Sequence, residues 1–187
     1  MAKLIYVMNV SLDGYIEDAG GAFAWFPRDD EVFAFTTDIL RSVGTFLYGR
    51  RLYEMMAVWE TDASLGAQSD LTAEFARTWK AADKVVYSTT LAEVSTAATR
   101  IERRFDPAAV QQLKATAGSD ITIGGADLAA QAIRAGLVDE CQLLVWPTTV
   151  GGGKPGLPTG VRTDYALLGE RRFDNGVVHL RYRLLGS

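Results

Sequence analysis

The stretch from Asp120 to Ala135, D-I-T-I-G-G-A-D-L-A-A-Q-A-I-R-A, constrains this chain more than any other. Ile121, Thr122 and Ile123 favour an extended strand because branching at Cβ stiffens χ1. Gly124 and Gly125 end that strand, and Leu128, Ala129, Ala132 and Ile133 then recur at helical spacing. Strand, glycine turn, helix is the recurring joint of layered α/β folds. Such a joint also turns unpaired backbone N–H groups and the positive helix end toward one point, where glycine lets a ligand come close. A phosphate suits that point. A plain β-to-α connection uses the same residues, and Gly-Gly alone does not separate the two readings.

Related joints occur elsewhere. Thr45 to Tyr48 reads as a short strand, and Gly49 opens a second junction followed directly by Arg50 and Arg51. Two cations in a first helical turn oppose the dipole unless an anion offsets them. Lys84 to Tyr87 is a strand ending in Ser88, Thr89 and Thr90, hydroxyls able to bind a phosphate or to make a turn. Lys3 to Asn9 is a near-continuous apolar run, as expected of a strand covered on both faces, and Asp139 to Trp146 is another strand. Asp29 or Asp30 can cap a helix whose apolar positions Val32, Phe35, Ile39, Leu40 and Val43 precede Gly44. Glu60 to Asp70 reads as a loop, Leu71 to Ala82 as a helix, and Pro107 to about Thr116 as a helix capped by Asp106. Asp174-Asn175-Gly176 between Tyr165–Phe173 and Val177–Leu185 is a strong hairpin signal.

These readings predict an α/β fold with three layers: a mostly parallel central sheet, helices on both faces and a C-terminal antiparallel hairpin. Residues 1–187 are expected to form one domain. Ligands of such sheets gather at the carboxyl ends of the strands, where both glycine junctions and the hydroxyl cluster lie. Three phosphate-binding corners on one rim imply a dinucleotide. The segment from Val10 to Pro27 carries Gly14, Gly20 and Gly21 among Tyr15, Ile16, Phe23, Trp25 and Phe26, and reads as a lid over a flat ligand.

Composition prunes the functions. The net charge is -4, with no basic run interleaved with aromatics, so no nucleic-acid surface is expected. No apolar stretch approaches a membrane span, and Leu4 to Met8 is too short for a signal peptide's hydrophobic region, so no membrane partner and a cytoplasmic location are expected. The one cysteine, Cys141, excludes internal disulfides and reads as a packed thiol. The one histidine, His179, excludes a multi-histidine metal site, and no metal is expected. It alternates with Val178 and Leu180 beside Arg181 and Arg183, a face expected to meet solvent or a partner chain. Leu167, Phe173, Val178, Leu180 and Tyr182 give the closing hairpin more apolar surface than one edge covers, and a homodimer is expected.

Four ordered motifs carry a resemblance: Asn9-Val10-Ser11-Leu12-Asp13-Gly14-Tyr15-Ile16, Tyr48-Gly49-Arg50-Arg51-Leu52-Tyr53-Glu54, Ile123-Gly124-Gly125-Ala126 and Val150-Gly151-Gly152-Gly153-Lys154-Pro155. In this order they resemble the dihydrofolate-reductase-like superfamily, and within it stand-alone relatives of the C-terminal reductase domain of the bifunctional riboflavin-biosynthesis deaminase-reductase. The resemblance implies an NADPH-dependent reductase of a small nitrogen heterocycle, pteridine-like or pyrimidine-like. It implies Gly124, Gly125, Ala126 and Asp127 near the pyrophosphate, Gly49, Arg50 and Arg51 at the adenosine phosphates, and Ser88 and Thr89 at the 2′-phosphate. Asn9, Ile16 and Trp25 fall in the implied substrate pocket, with Asp30 as the carboxylate facing the ring. The chain departs from the pattern at Ala126, where the family has glycine, and at Val145-Trp146-Pro147, unlike a folate enzyme's strand. One cysteine and one histidine cannot supply the zinc deaminase half. The second reading is a dimeric NADP-binding module without efficient catalysis.

Overall fold

The computed structural model describes residues 1–186. Its elements are β1 (Leu4–Ser11), β2 (Tyr15–Asp18), α1 (Asp30–Leu40), β3 (Val43–Gly49), α2 (Arg50–Met56), α3 (Val58–Thr61), α4 (Ala63–Gly66), α5 (Asp70–Ala81), β4 (Asp83–Tyr87), β5 (Thr99–Glu102), α6 (Pro107–Thr116), β6 (Asp120–Gly124), α7 (Ala126–Arg134), β7 (Glu140–Trp146), β8 (Gly153–Pro155), β9 (Asp164–Arg172) and β10 (Val178–Leu185). Eight strands form one sheet in the order β5-β4-β3-β6-β1-β7-β10-β9, and β2 and β8 form a separate antiparallel ribbon. Neighbours from β5 to β7 are parallel, and β10 and β9 extend the sheet antiparallel. The three-layer α/β expectation describes this architecture.

Burial explains the layering. Leu4, Tyr6, Leu47, Val85, Ile121 and Ile123 share one core cluster with Val110 of α6 and with Leu128, Ala129, Ala132 and Ile133 of α7. Phe46, Tyr48 and Val86 share another with Tyr53 of α2 and with Phe75 and Trp79 of α5. Fully burying one such side chain contributes about 1.5 to 3 kcal/mol. Trp79 is fully buried and donates its indole N–H to the Tyr48 hydroxyl at 3.1 Å, so no polar atom of the pair's contact is wasted. Leu144 and Trp146 at the end of β7 meet Val32 of α1, Phe173 and Val177 in a third cluster.

The hairpin forms as read. Phe173 donates its N–H to Val177 O at 2.9 Å, and Gly176 takes φ +88 in the turn. Cys141 is buried, and desolvation pushes its thiol up to about 12. Other expectations need correcting. His179 meets neither solvent nor a partner surface: it is 6% exposed, bonds Gln142 Oε1 at 3.0 Å through Nε2, and packs its ring against Phe35 of α1. The sequence pattern of β10 gave the two faces but not that α1 covers the one bearing His179. Phe173 is likewise buried, leaving Leu167 at 54% exposure on the hairpin. Helix α1 stops at Leu40, and Val43 opens β3; Gly44 is required because a Cβ there would sit 2.9 Å from Ser119 Cβ. The Glu60 to Asp70 loop contains the end of α3 and all of the short helix α4, and β5, with only Ile101 apolar, carries too weak a pattern to be read.

The Val10 to Pro27 segment is tied down at several points. Ribbon β2–β8 joins it to the Gly151–Gly153 loop, and Asp13 accepts the N–H groups of Val150 and Gly151 at 3.1 and 2.8 Å. Hydrogen bonds from Ser11, Gly151 and Val150 hold the Asp13 carboxyl below its usual range. Among the described residues no helix is long and apolar enough to cross a membrane.

Candidate active site

Two joined chambers lie at the carboxyl ends of the central strands. The first, about 410 Å³, is lined by Asn9, Ile16, Glu17, Gly49, Arg50, Arg51, Gly125, Ala126, Asp127 and Lys154 among others. The second, about 520 Å³, is lined by Phe26, Asp29, Val32, Phe33, Tyr48, Thr122, Gly124, Leu144 and Trp146 among others. Val7, Met8, Asn9, Phe23, Phe26, Leu52 and Met55 border both, which makes the chambers continuous.

Helix capping sets the first chamber apart. Side chains cap α1 (Asp29), α4 (Asp62), α5 (Ser69) and α6 (Asp106). No side chain caps α2, α3 or α7; α3 follows α2 directly through Ala57, whereas α2 and α7 start at the chamber from Gly49 and Gly125. An uncapped helix leaves its first N–H groups for water or a ligand and keeps its dipole unneutralised. Gly125 adopts φ +93, a conformation that strains any other residue, and a Cβ there would point to Gly49 N at 3.7 Å, between the two helix starts. Gly124 is needed for a different reason: its Cβ would lie 2.3 Å from Leu52 Cδ2, so glycine lets α2 pack against the end of β6.

The cations of this chamber are engaged. Arg50 donates to Glu54 Oε1 at 2.7 Å and to Thr90 Oγ1 at 2.8 Å, Arg51 to Glu17 at 3.2 Å, and Lys154 pairs with Asp127 at 2.6 Å. Glu54 therefore offsets part of the cation-at-N-terminus cost that the sequence displays at Arg50. These exposed pairs are each worth little and can open to a stronger anion.

The second chamber is aromatic. Phe26 stacks on Trp146 with centroids 4.9 Å apart and planes 26° apart, and Trp25 meets the Phe26 edge from behind. Trp146 donates its indole N–H to Asn9 Oδ1 at 2.9 Å. Burial pushes the Tyr48 hydroxyl far above its usual range, so it stays protonated.

Residues 2–179 match the RibD C-terminal domain family. The chain belongs to that family. It is 32% identical over 186 residues, 98% of this chain and 96% of the other, to the uncharacterized protein YyaP of Bacillus subtilis (strain 168). In fold it is similar to a protein of Shewanella sp. PV-4 named for riboflavin biosynthesis (TM-score 0.77, 20% identity, 100% of both chains). It is also similar to the diaminohydroxyphosphoribosylaminopyrimidine deaminase/5-amino-6-(5-phosphoribosylamino)uracil reductase of Thermotoga maritima (TM-score 0.65, 12% identity), covering 98% of this chain and 57% of that one. The likeness to these two structures is one of fold.

Within this RibD C-terminal domain fold, eight of the residues singled out from the sequence come together at the first chamber: Asn9, Ile16, Gly49, Arg50, Arg51, Gly125, Ala126 and Asp127. Gly124 borders the second. Four do not take part in lining either chamber. Asp30 has a 71% exposed side chain paired with Arg28 at 3.3 Å, because Asp29 takes the capping position, accepts Val32 N–H at 3.0 Å and borders the second chamber instead. The carboxylate that borders the second chamber is thus the half-buried Asp29, not the exposed Asp30 expected to face the ring. Trp25 donates to Ile16 O at 3.3 Å behind Phe26, which takes the lining position. Ser88 accepts the N–H groups of Thr90 and Leu91 in a turn, Thr89 is exposed, and Thr90 is the hydroxyl that reaches Arg50. Glu17, Phe26, Lys154 and Trp146 were not singled out as site residues; Lys154, next to three glycines, and Trp146, at a strand's carboxyl end, carried the clearest available signals.

Proposed function

We propose that this RibD C-terminal domain protein is an NADPH-dependent reductase of a small, flat nitrogen heterocycle. The observation that carries the reading is the uncapped N-terminus of α7 opening onto a chamber that also holds the Arg50 and Arg51 guanidiniums and continues into an aromatic one. The donor set fits a pyrophosphate: free first-turn N–H groups, a glycine at φ +93 that leaves room for close approach, and nearby cations. NADPH held there would supply the hydride, and the second chamber would hold the accepting ring.

The chain's own residues have separate tasks in this reading. Gly125, Ala126 and Asp127 offer backbone donors to the pyrophosphate, and Arg50 with Thr90 receives the 2′-phosphate by charge-assisted bonds. Phe26 and Trp146 give a flat ring a stacking wall and exclude water. Asp29 holds an N–H edge of the ring and assists proton delivery beside hydride arrival, since its second carboxylate oxygen is not used by the cap. A homodimer through the hairpin face around Leu167 and Tyr182 belongs to the same proposal, and light scattering should give twice the 20.3 kDa of one chain.

Calorimetric titration with NADPH and NADH, followed by NADPH absorbance decay against a panel of pterins, pyrimidines and flavin precursors, tests the reading. Preferential NADPH binding with oxidation by at least one ring is expected. Failure of NADPH to bind would overturn it, and binding without oxidation by any ring would leave a dinucleotide-binding module.

A further inference from the structure

The two chambers differ in what charge they can hold, and that difference bears on the substrate. Among the described residues, the ionisable side chains lining the second chamber are Arg28 and Asp29, apart from the buried Tyr48 hydroxyl. Arg28 donates to Asp30 and lies over the Phe33 ring at 5.1 Å, so its charge is already shared. Asp29 adds a negative charge. A phosphate brought there would meet the Asp29 carboxylate and one cation, Arg28, which it would have to draw from Asp30, whereas the first chamber offers Arg50, Arg51 and Lys154. The acceptor of the Thermotoga maritima reductase is named as a phosphoribosyl compound; among the described residues this chamber sets one cation, Arg28, against the carboxylates of Asp29 and Asp30.

One polar group at the junction is oriented instead for a neutral partner. An indole N–H can only donate, so the Asn9 atom that Trp146 bonds must be the amide oxygen. The amide is thereby fixed one way round, and among the described residues its two Nδ2–H donors have no bonded partner. Asn9 borders both chambers, where a ring stacked on Phe26 and Trp146 would face the cofactor.

The geometry points to an unphosphorylated, uncharged aromatic heterocycle as the substrate, with a ring carbonyl accepting from Asn9 Nδ2. This inference rests on the reductase reading above. It names the substrate class and assigns Asn9 as the residue that reads the carbonyl.

The test is calorimetric titration of the intact protein, with and without saturating NADPH, using lumazine and two matched pairs: uridine with uridine 5′-monophosphate, and riboflavin with its 5′-phosphate. At least one neutral ring should bind, and the phosphate ester of a binding ring should bind at least tenfold more weakly. Equal or tighter binding of the esters overturns the inference, as does failure of all three neutral rings. If NADPH itself fails to bind, the reductase reading falls, while titrations of the cofactor-free protein still decide this one. Asn9→Asp keeps an acceptor for the Trp146 N–H but replaces the donors with a carboxylate oxygen. It should retain the native melting temperature and lose ring affinity at least tenfold; native ring affinity in this variant would show that Asn9 only braces Trp146.

Discussion

Helices α1 and α7 both begin at the cleft, yet their first turns are finished in opposite ways. Helix α1 is closed by its own sequence: Asp29 accepts the Val32 N–H, and Asp30 and Glu31 place further negative charge in the first turn. Helix α7 starts from a bare glycine at φ +93 with no side chain on its donors. The chain neutralises the end that borders the apolar chamber and leaves unsatisfied the end that borders the polar one. Capping is worth about 1 kcal/mol, so an omitted cap beside a cavity is a stability cost that a ligand can offset.

The largest effect expected on this contrast comes from closing the open end. Gly125→Val puts a branched side chain at positive φ between the helix starts and should lower NADPH affinity more than about 100-fold while circular dichroism stays native. Native affinity would mean that the dinucleotide lies elsewhere. Asp29→Asn keeps the α1 cap, since asparagine caps about as well, but removes the charge facing the second chamber. Stability should change by only a few tenths of a kcal/mol and turnover should drop on the order of 100-fold. Full turnover in this variant would reduce Asp29 to a cap.

Arg50→Ala should weaken NADPH roughly tenfold relative to NADH, the lower range for one charge-assisted bond. A parallel loss for both cofactors would remove the 2′-phosphate from its role. A smaller, pH-dependent effect is expected under α1. Burial, with Arg181 and Arg171 nearby, pulls the His179 pKa down from 6.5 to about 4. The unfolded chain then takes up the proton first as pH falls, so stability from this site is complete above about 6.5 and is lost toward 4. Melting temperatures should decline across that window by a few degrees, and less in His179→Gln, which cannot titrate. The smallest effect belongs to Asp30→Asn: turnover and melting temperature should stay near native, because its carboxylate is exposed and its pair with Arg28 is a surface one.

The parts legible in the sequence were those fixed by local chemistry. The β6–α7 joint, the buried central strands, the Asp106 cap and the Asp174-Asn175-Gly176 turn each state their structure within a few residues, and the first chamber follows because parallel strands bring their glycine ends to one rim. What was not legible depends on which residue of a pair wins a place. Asp29 and Asp30 are equally good caps by composition, and the choice shows only in the backbone, which is extended at Asp29 and helical from Asp30. Trp25 and Phe26 are neighbours with opposite directions, and Phe26 gains the inner position by stacking on Trp146, a residue 120 positions away in sequence. His179 became buried through the docking of α1, which no alternation within β10 can report.

The β2–β8 ribbon bears on how the molecule acquires its cleft. Asp13 reaches Gly151 across 138 positions of sequence, and a Cβ at Gly153 would lie 2.1 Å from Glu17 O, so the two rim loops meet only at backbone distance. Such contacts require the chain between them to be already threaded and paired, since closing so long a loop is repaid only by the sheet beneath it. The rim is therefore expected to form late in folding and to open early on unfolding, after the sheet and helices have buried Trp79. A state with sheet and core formed but the rim unpaired would leave the cleft without its roof, and any ligand held under that roof would draw such a state back by mass action.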